Sequence, residues 1–175
     1  MTVNWKMYGG FDPKGEFWTD SNGLEMQKRN INKRDGWEFN GRENPLARNF
    51  FPVDSAIAMR SGNTQVTINN DRAQAGSAGN SGHATIELIQ HRRQVQNDGK
   101  WGLDESLNEV DDKDQGIRVK ATYTMQIFDF TKGKSKQRST QLNKEQPLGY
   151  FYSFSYQENK PTVALAQTDK YTEIA

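Results

Sequence analysis

The sequence contains no cysteine, so disulfide bonds and thiolate metal sites are excluded. That absence does not identify a cellular compartment, because reduced and oxidising environments both hold proteins without cysteine. An excess of one charge is missing as well, since 23 Lys and Arg residues are balanced by 22 Asp and Glu residues. This balance gives no global electrostatic reason to expect nucleic-acid binding, and it favours a neutral partner or substrate.

Long apolar runs are absent too. Only 33% of the residues are hydrophobic and no run approaches the length of a membrane span, so we expect no membrane partner. Residues 1–10 lack the basic and apolar regions of a signal peptide, and the sequence has no Asn-x-Ser/Thr acceptor for N-glycosylation. The segment therefore carries no positive sign of secretion.

Aromatic residues, by contrast, are plentiful: four Trp, nine Phe and six Tyr supply large side chains for burial. Helical periodicity of useful length is missing, whereas short segments of period-two alternation recur between turn signals. We therefore predict an all-β fold, an antiparallel β-sandwich that forms a single domain over residues 1–175. The clearest short strands are predicted at Phe17–Thr19, Leu24–Lys28, Ala56–Arg60, Gln65–Asn69 and Ala84–Leu88.

The longest alternation covers Ile117–Ile127, where apolar residues occupy every second position. This pattern predicts a half-buried strand of an antiparallel sheet. The basic segment that follows, Lys132–Arg138, is predicted to be a solvated polar loop. Pro52 has no amide hydrogen to donate, so we expect it at an edge or at the start of a strand. Trp37 and Phe39 are expected to anchor the irregular segment around them.

Residues that carry chemistry form no recognisable catalytic constellation. The two histidines, His83 and His91, have neither the neighbours of a zinc site nor those of a nucleophile pair. His91 stands beside Arg92 and Arg93, which favours an ion-pairing strand end over a general base. The acidic segment 104–115 lacks the spacing of an EF-hand calcium loop, so it is predicted to be solvated. This segment alone is not expected to be a self-sufficient enzyme.

The stretch Asn70–Leu103 is the one most suggestive of function. It contains a short strand, a charged cluster and then Asn97-Asp98-Gly99, a strong hairpin signal because Asp-Gly accepts the positive φ angles of a primed turn. Lys100, Trp101 and Gly102 follow, which would put a cation and a large aromatic ring on a protruding loop. We interpret this loop as the functional contribution of the chain.

Four blocks of sequence, in this order, resemble one known family. They are GEFWTDSNGLEMQKR (Gly15–Arg29), NFFPVDS (Asn49–Ser55), NDRAQAGSAG (Asn70–Gly79) and IELIQHRRQVQNDGKWG (Ile86–Gly102). Together they resemble the C-terminal β-rich half of lysosomal-type α-mannosidases of glycoside hydrolase family thirty-eight. The resemblance covers roughly residues 11–128, and the four blocks in their order are far more specific than any single one.

The resemblance implies a parent enzyme that is a retaining α-mannosidase acting on N-glycans and related mannose-containing oligosaccharides. Its nucleophile and its zinc ligands would lie in an N-terminal catalytic domain, so neither a catalytic residue nor a metal ligand is expected in this segment. That domain is the expected partner of the sandwich. By family resemblance, the parent is expected in the lysosome or the vacuole.

In the family, a loop of the β-rich half reaches the opening of the active site, and its backbone lines the sugar site. The matching residues, expected to bind substrate, are Asp98, Gly99, Lys100, Trp101 and Gly102. Lys100 replaces the family's typical arginine, and Trp101 is inserted before the glycine. A backbone carbonyl contact would survive this departure, whereas Trp101 would either stack on a sugar ring or plug an interdomain crevice.

Arginines elsewhere in the matched blocks are expected to have structural roles. They are Arg72, Arg92 and Arg93, which would form bidentate hydrogen bonds with carboxylates and hold the sandwich to the catalytic domain. The alternative reading is a freestanding carbohydrate-binding module that uses the alternating aromatics Tyr150–Tyr156, although aromatics at strand period are more often core. A third reading is a structural interaction domain without any sugar contact.

Overall fold

A computed structural model describes residues 1–39, 44, 47–79, 83–91, 109–131, 134–147 and 149, with the side chain of Lys134 left aside. Within these residues the chain forms nine strands, a short 3-10 helix and an α-helix. The strands are β1 Thr2–Lys6, β2 Glu16–Asp20, β3 Met26–Asn30, β4 Phe51–Val53, β5 Ala56–Ser61, β6 Thr64–Asn69, β7 Gln74–Ala78, β8 Thr85–Ile89 and β9 Thr124–Asp129. The 3-10 helix is Ala47–Asn49, and the α-helix α1 is Lys134–Glu145.

The strands form two sheets, and every pairing is antiparallel. One sheet has four strands in the order β1-β8-β7-β4, and the other has five in the order β3-β2-β5-β6-β9. Each predicted short strand is present, shifted by at most two residues at an end. The turn at Gly62 joins β5 and β6 in a tight hairpin, and its φ of 55° suits glycine.

The apolar side chains of the two sheets meet between them and form the core. Fully buried residues of the five-stranded sheet include Phe17, Ile57 and Ile68, and those of the four-stranded sheet include Ile86 and Leu88. Alternation along each strand places these residues on the inner face. The predicted all-β antiparallel sandwich is therefore confirmed, while its extent as one domain over residues 1–175 stays a prediction.

The hairpin between β2 and β3 is held by one buried carboxylate. Asp20 is only 2% exposed, and its Oδ1 accepts hydrogen bonds from the backbone amides of Asn22 (3.2 Å) and Gly23 (2.6 Å). Its Oδ2 accepts a bond from the Ser55 hydroxyl, which precedes β5. Because these groups would otherwise be unsatisfied, Asp20 links the turn to the neighbouring strand.

The edge of the four-stranded sheet agrees with the prediction for Pro52. This residue lies in β4, which within the described residues pairs with β7 alone and so forms an edge of the sheet, where proline is tolerated. The opposite edge strand, β1, was not predicted. It pairs with β8 from Thr2↔Ile89 to Lys6↔Thr85, and its Trp5 packs against the core.

The prediction of one long strand over Ile117–Ile127 is wrong in its extent and in its burial. Residues 117–123 are not strand, and β9 begins only at Thr124. Met125 and Ile127 pair with the buried Ile68 and Val66 on the inner face of the sheet, yet they are 46% and 67% exposed. The alternation identified the face correctly, but β9 is an edge strand whose inner face the opposite sheet leaves open.

The prediction that the basic segment Lys132–Arg138 is a loop is also wrong, because its described residues form the start of helix α1. The helix packs on the outer face of the five-stranded sheet through glutamines, of which Gln137 and Gln141 are 8% and 2% exposed. Gln126 of β9 donates hydrogen bonds to the Thr140 hydroxyl (2.6 Å) and to the Lys136 carbonyl (3.2 Å). Because the buried face of this helix consists of amide side chains, its sequence shows no apolar residues at helical spacing and does not predict a helix.

A methyl group at Gly76 is expected to separate the two sheets. A Cβ atom there would lie 2.7 Å from Val53 Cγ2, 2.8 Å from Leu88 Cδ2 and 3.2 Å from Ile57 Cδ1. Because no space remains, we expect Gly76→Ala to lower the free energy of unfolding by about 1–3 kcal/mol in urea denaturation. Gly116→Ala is the matched control, since nothing lies within 4 Å of its Cβ position. Equal stability of the two variants would contradict this account of the packing.

Candidate functional site

The predicted functional loop follows directly from β8, an inner strand of the four-stranded sheet. This strand is hydrogen bonded to β1 on one side and to β7 on the other. The predicted loop residues Asp98–Gly102, together with Arg92 and Arg93, lie outside the described residues. The aromatics Tyr150–Tyr156 of the alternative reading also lie outside them. The structure describes β8 and the residues around its end, which precede the predicted loop in the sequence.

Four side chains at the end of β8 form a cluster that we call the loop base: Trp5, Gln74, Gln90 and Tyr123. The Tyr123 hydroxyl donates a hydrogen bond to Gln74 Oε1 (3.1 Å), and Gln90 Nε2 donates to the Tyr123 hydroxyl. Gln74 Nε2 donates to the Ile89 carbonyl at 3.0 Å, and the Trp5 and Tyr123 rings meet edge to face with centroids 5.0 Å apart. These contacts fix the backbone where the loop begins.

Met1 also forms hydrogen bonds with the residues that follow β8. The backbone amides of Gln90 and His91 donate to the Met1 carbonyl at 2.9 and 3.3 Å, and the Met1 amino group donates to the His91 carbonyl at 2.8 Å. The β1–β8 pairing thus continues two residues past the end of β8. His91 itself is exposed.

Arg72, predicted to hold the sandwich to another domain, donates its hydrogen bonds within this chain. Its Nε atom lies 2.9 Å from Asp71 Oδ1, and its Nη2 atom donates to the Lys120 carbonyl at 2.6 Å. Asp71 Oδ2 in turn accepts a bond from the Thr122 amide at 2.7 Å. The pair therefore ties the start of β7 to the segment that leads into β9. An interdomain role for Arg72 stays a prediction.

The surroundings of Asp71 stabilise its charged form. The hydrogen bond from Arg72, the hydrogen bond from the Thr122 amide and the positive charges of Arg72 and Lys144 lower the pKa of Asp71 from 3.8 to about 2, although burial opposes them. Lys144 comes from helix α1 and donates to the carbonyls of Asn69 (3.2 Å) and Thr122 (2.9 Å). Asp71 thus binds the segment before β9 through the Thr122 amide, while Lys144 joins α1 to β6 and to the same segment.

The described side chains do not converge on a metal site. Across residues 1–39, 44, 47–79, 83–91, 109–131, 134–147 and 149, no three His, Asp or Glu side chains are placed to hold an ion. The zinc that the resemblance implies therefore has no ligand set in this part of the chain. In the same residues, no helix is long and apolar enough to cross a membrane.

Sequence reasoning missed the loop base and an arginine cluster at the other edge of the sandwich. Tyr123 stood in a predicted apolar face, and nothing in its neighbours indicated a bond to Gln74, which lies 49 residues earlier. The expected anchors Trp37 and Phe39 differ from each other in burial. Trp37 is 63% exposed, whereas Phe39 is half-buried beneath the guanidinium groups of Arg34 and Arg48.

The fold places this protein in the class of antiparallel β-sandwich domains. Its sequence matches the family described as "Glycosyl hydrolases family 38 C-terminal domain" over residues 5–100. It is 42% identical to lysosomal alpha-mannosidase of Homo sapiens over 98 residues, which is 56% of this chain and 9% of that protein. Against the Bos taurus lysosomal alpha-mannosidase it is 43% identical over 95 residues, which is 54% of this chain and 9% of that protein.

A plant relative extends the similarity further along the chain. A probable alpha-mannosidase of Arabidopsis thaliana is 31% identical over 158 residues, which is 89% of this chain and 14% of that protein. Because the family match covers more than half of the sequence, the chain belongs to glycosyl hydrolase family 38, as part of its C-terminal domain. It spans about a tenth of the length of the mammalian relatives that it matches.

The depressed pKa of Asp71 predicts how stability depends on acidity. The pKa of Asp71 lies near 3.8 when the chain is unfolded and at about 2 when it is folded. The contribution of the charged Asp71 to the free energy of unfolding is therefore complete above about pH 4. It is lost as the pH falls through about 2. We therefore expect Asp71→Asn to flatten the decline in the free energy of unfolding between about pH 4 and pH 2, measured by urea denaturation.

The exposed Asp35 offers a matched control, because it makes no ion pair within the described residues. Asp35→Asn should leave the pH profile of the unaltered protein in place. An Asp71→Asn profile as steep as that of Asp35→Asn would show that the Asp71 contacts do not stabilise the charged carboxylate.

Proposed function

We propose that this chain is a non-catalytic β-sandwich part of an α-mannosidase that hydrolyses terminal α-mannose from oligosaccharides. In this proposal the sandwich packs on an N-terminal catalytic domain and supplies residues Asp98–Gly102 to the rim of the mannose site. The family match over residues 5–100 is the observation that carries the proposal, because it includes β8 and the start of the loop. The retaining, zinc-dependent chemistry would belong to the catalytic domain.

The short span of the chain relative to its relatives supports this division of labour. The aligned part makes up 9% of the human and bovine lysosomal alpha-mannosidases, so most of such an enzyme would be other sequence. The names of those relatives support a lysosomal or vacuolar location for the parent.

The open inner face of β9 supports packing against further polypeptide. Ile117, Val119, Met125 and Ile127 are between 46% and 68% exposed, although the latter two continue the apolar face of the sheet. Met125 and Ile127 thus form an exposed apolar part of the sheet, and exposed apolar surface of this kind marks interaction sites. The surface would be covered when the sandwich packs on its neighbour.

The loop base supports the role of the loop. Catalytic and binding loops need a rigid scaffold, and β8 is paired with β7 as far as Leu88 and with residues 1–6 as far as His91. A loop that starts from such a strand can hold a backbone carbonyl or an aromatic ring at a fixed distance from a sugar. The backbone near Asp98 would orient the mannose, and Trp101 would stack on its ring.

Kinetics of the full-length enzyme test the role of the loop. We expect Trp101→Ala to raise KM for a chromogenic α-mannoside by roughly three- to tenfold with little change in kcat, because a stacking contact formed before the transition state is lost. Lys100→Ala should change neither constant greatly, since its contact is through the backbone. Exposed Lys113 provides the control substitution Lys113→Ala.

Two further measurements separate the proposal from other functions. The purified 175-residue chain is expected to release no product from a chromogenic α-mannoside, and turnover would contradict its non-catalytic role. Saturable quenching of its tryptophan fluorescence by mannose would instead favour a freestanding carbohydrate-binding module. Unchanged kinetics in both loop variants would assign the chain a purely structural role.

A further inference from the structure

Three arginines and two phenylalanines alternate along the edge of the sandwich opposite β1. The Arg29 and Arg34 guanidinium carbons lie 4.6 and 4.0 Å from the centroid of the Phe51 ring. Those of Arg34 and Arg48 lie 5.8 and 5.0 Å from the centroid of Phe39. We call this set, Arg29, Phe51, Arg34, Phe39 and Arg48, the Arg–Phe ladder.

The ladder is anchored in the core but remains accessible from outside. Phe51 belongs to the edge strand β4 and packs edge to face on the buried Phe17, with ring centroids 5.5 Å apart. Arg29 lies on the edge strand β3, directly opposite Phe17. All three arginines are half-buried, so one side of each remains open to solvent.

No carboxylate neutralises the ladder within the described residues. Arg29 donates its bonds to the side-chain oxygens of Thr19, Ser21 and Gln27, all of them neutral. The exposed acidic residues Asp35 and Glu38 are close in sequence, but neither makes an ion pair in the described structure.

The other two arginines are also hydrogen bonded only to neutral oxygens. Arg34 donates to the carbonyls of Lys33 and Arg48, and Arg48 donates from Nε to Asn32 Oδ1 at 2.9 Å. Within the described part of the chain, the two terminal nitrogens of Arg48 have no acceptor, and neither has Nε of Arg34. These N–H groups form the unused part of the cluster.

Like charges held this close are unfavourable unless an anion joins them. Burial, and then repulsion from Arg34, lower the pKa of Arg29, and burial lowers the pKa of Arg34. Stacking on an aromatic ring offsets part of the lost hydration but leaves the net charge in place. A bound anion would offset both the repulsion and the unused donors.

We propose that the Arg–Phe ladder is a binding site for a carboxylate group. A guanidinium presents a planar fork of N–H donors that matches the two oxygens of a carboxylate, and the phenylalanine rings hold the arginine planes in place. The source would be an acidic side chain of the polypeptide that surrounds this sandwich in the parent protein. That choice of source rests on the proposed function, whereas the site itself does not.

Chemical modification of arginine tests the site on the 175-residue chain. Phenylglyoxal reacts with free guanidinium groups, and mass spectrometry gives the rate at each arginine. We expect glutarate at saturating concentration to slow modification of Arg34 and Arg48 at least threefold, at constant ionic strength. Exposed Arg118 is the internal control and should react at the same rate with and without glutarate.

Two variants and a second anion sharpen the result. Arg48→Gln should weaken glutarate protection of Arg34 about tenfold in apparent affinity, a loss of the size expected for one charged hydrogen-bonded contact. Arg48→Lys keeps the positive charge but loses the planar pair of donors, so its apparent affinity for glutarate should lie between those of the unaltered protein and Arg48→Gln. Absence of glutarate protection would overturn the proposal, and stronger protection by inorganic phosphate than by glutarate would overturn the choice of a carboxylate.

The same rates in the full-length protein test the source of the carboxylate. There we expect Arg34 and Arg48 to react slowly without any added anion, because a side chain of the parent already occupies the ladder. Fast modification in the full-length protein, together with glutarate protection of the 175-residue chain, would overturn the source while leaving the site intact. That outcome is distinct from a failure of the mannosidase proposal, which the loop kinetics decide.

Discussion

The close approach of the two sheets around Gly76 is the constraint on which the other features depend. Three branched side chains from both sheets occupy the space where a Cβ atom would be, so the glycine allows them to interdigitate. Gly76 pairs with Leu88 of β8, the strand that precedes the segment proposed to bind substrate. The position of that strand is therefore set by core packing and then maintained by the loop base.

Polar groups connect the remaining parts of the structure. Asp20 joins a hairpin turn to the strand next to it, Asp71 binds the segment before β9, and Lys144 joins helix α1 to β6 and to that segment. Each carboxylate accepts hydrogen bonds from more than one group, and that of Asp20 is itself buried. A sandwich with so few apolar residues is held together by these links as well as by its core.

The two open surfaces of the sandwich agree with a domain that belongs to a larger assembly. The inner face of β9 carries apolar residues that nothing covers in the described part of the chain, and the Arg–Phe ladder concentrates positive charge at the opposite edge. One surface suits apolar packing, whereas the other suits an anionic contact. The start of β9 lies beside the loop base, since Tyr123 contacts Gln90, whereas the ladder lies at the other edge of the five-stranded sheet.

Local sequence alone determined the strands β2, β3, β5, β6 and β8 and the family, but not β1 or helix α1. Alternation and turn chemistry are short-range properties, so β5, β6 and the Gly62 hairpin could be predicted without coordinates. Tertiary structure decided what is buried: Ile127 faces inward and is still 67% exposed, while Gln141 on a helix without an apolar face is 2% exposed. It also brought together Arg29, Arg34 and Arg48, because only the meeting of two sheet edges at Phe51 places these distant positions side by side.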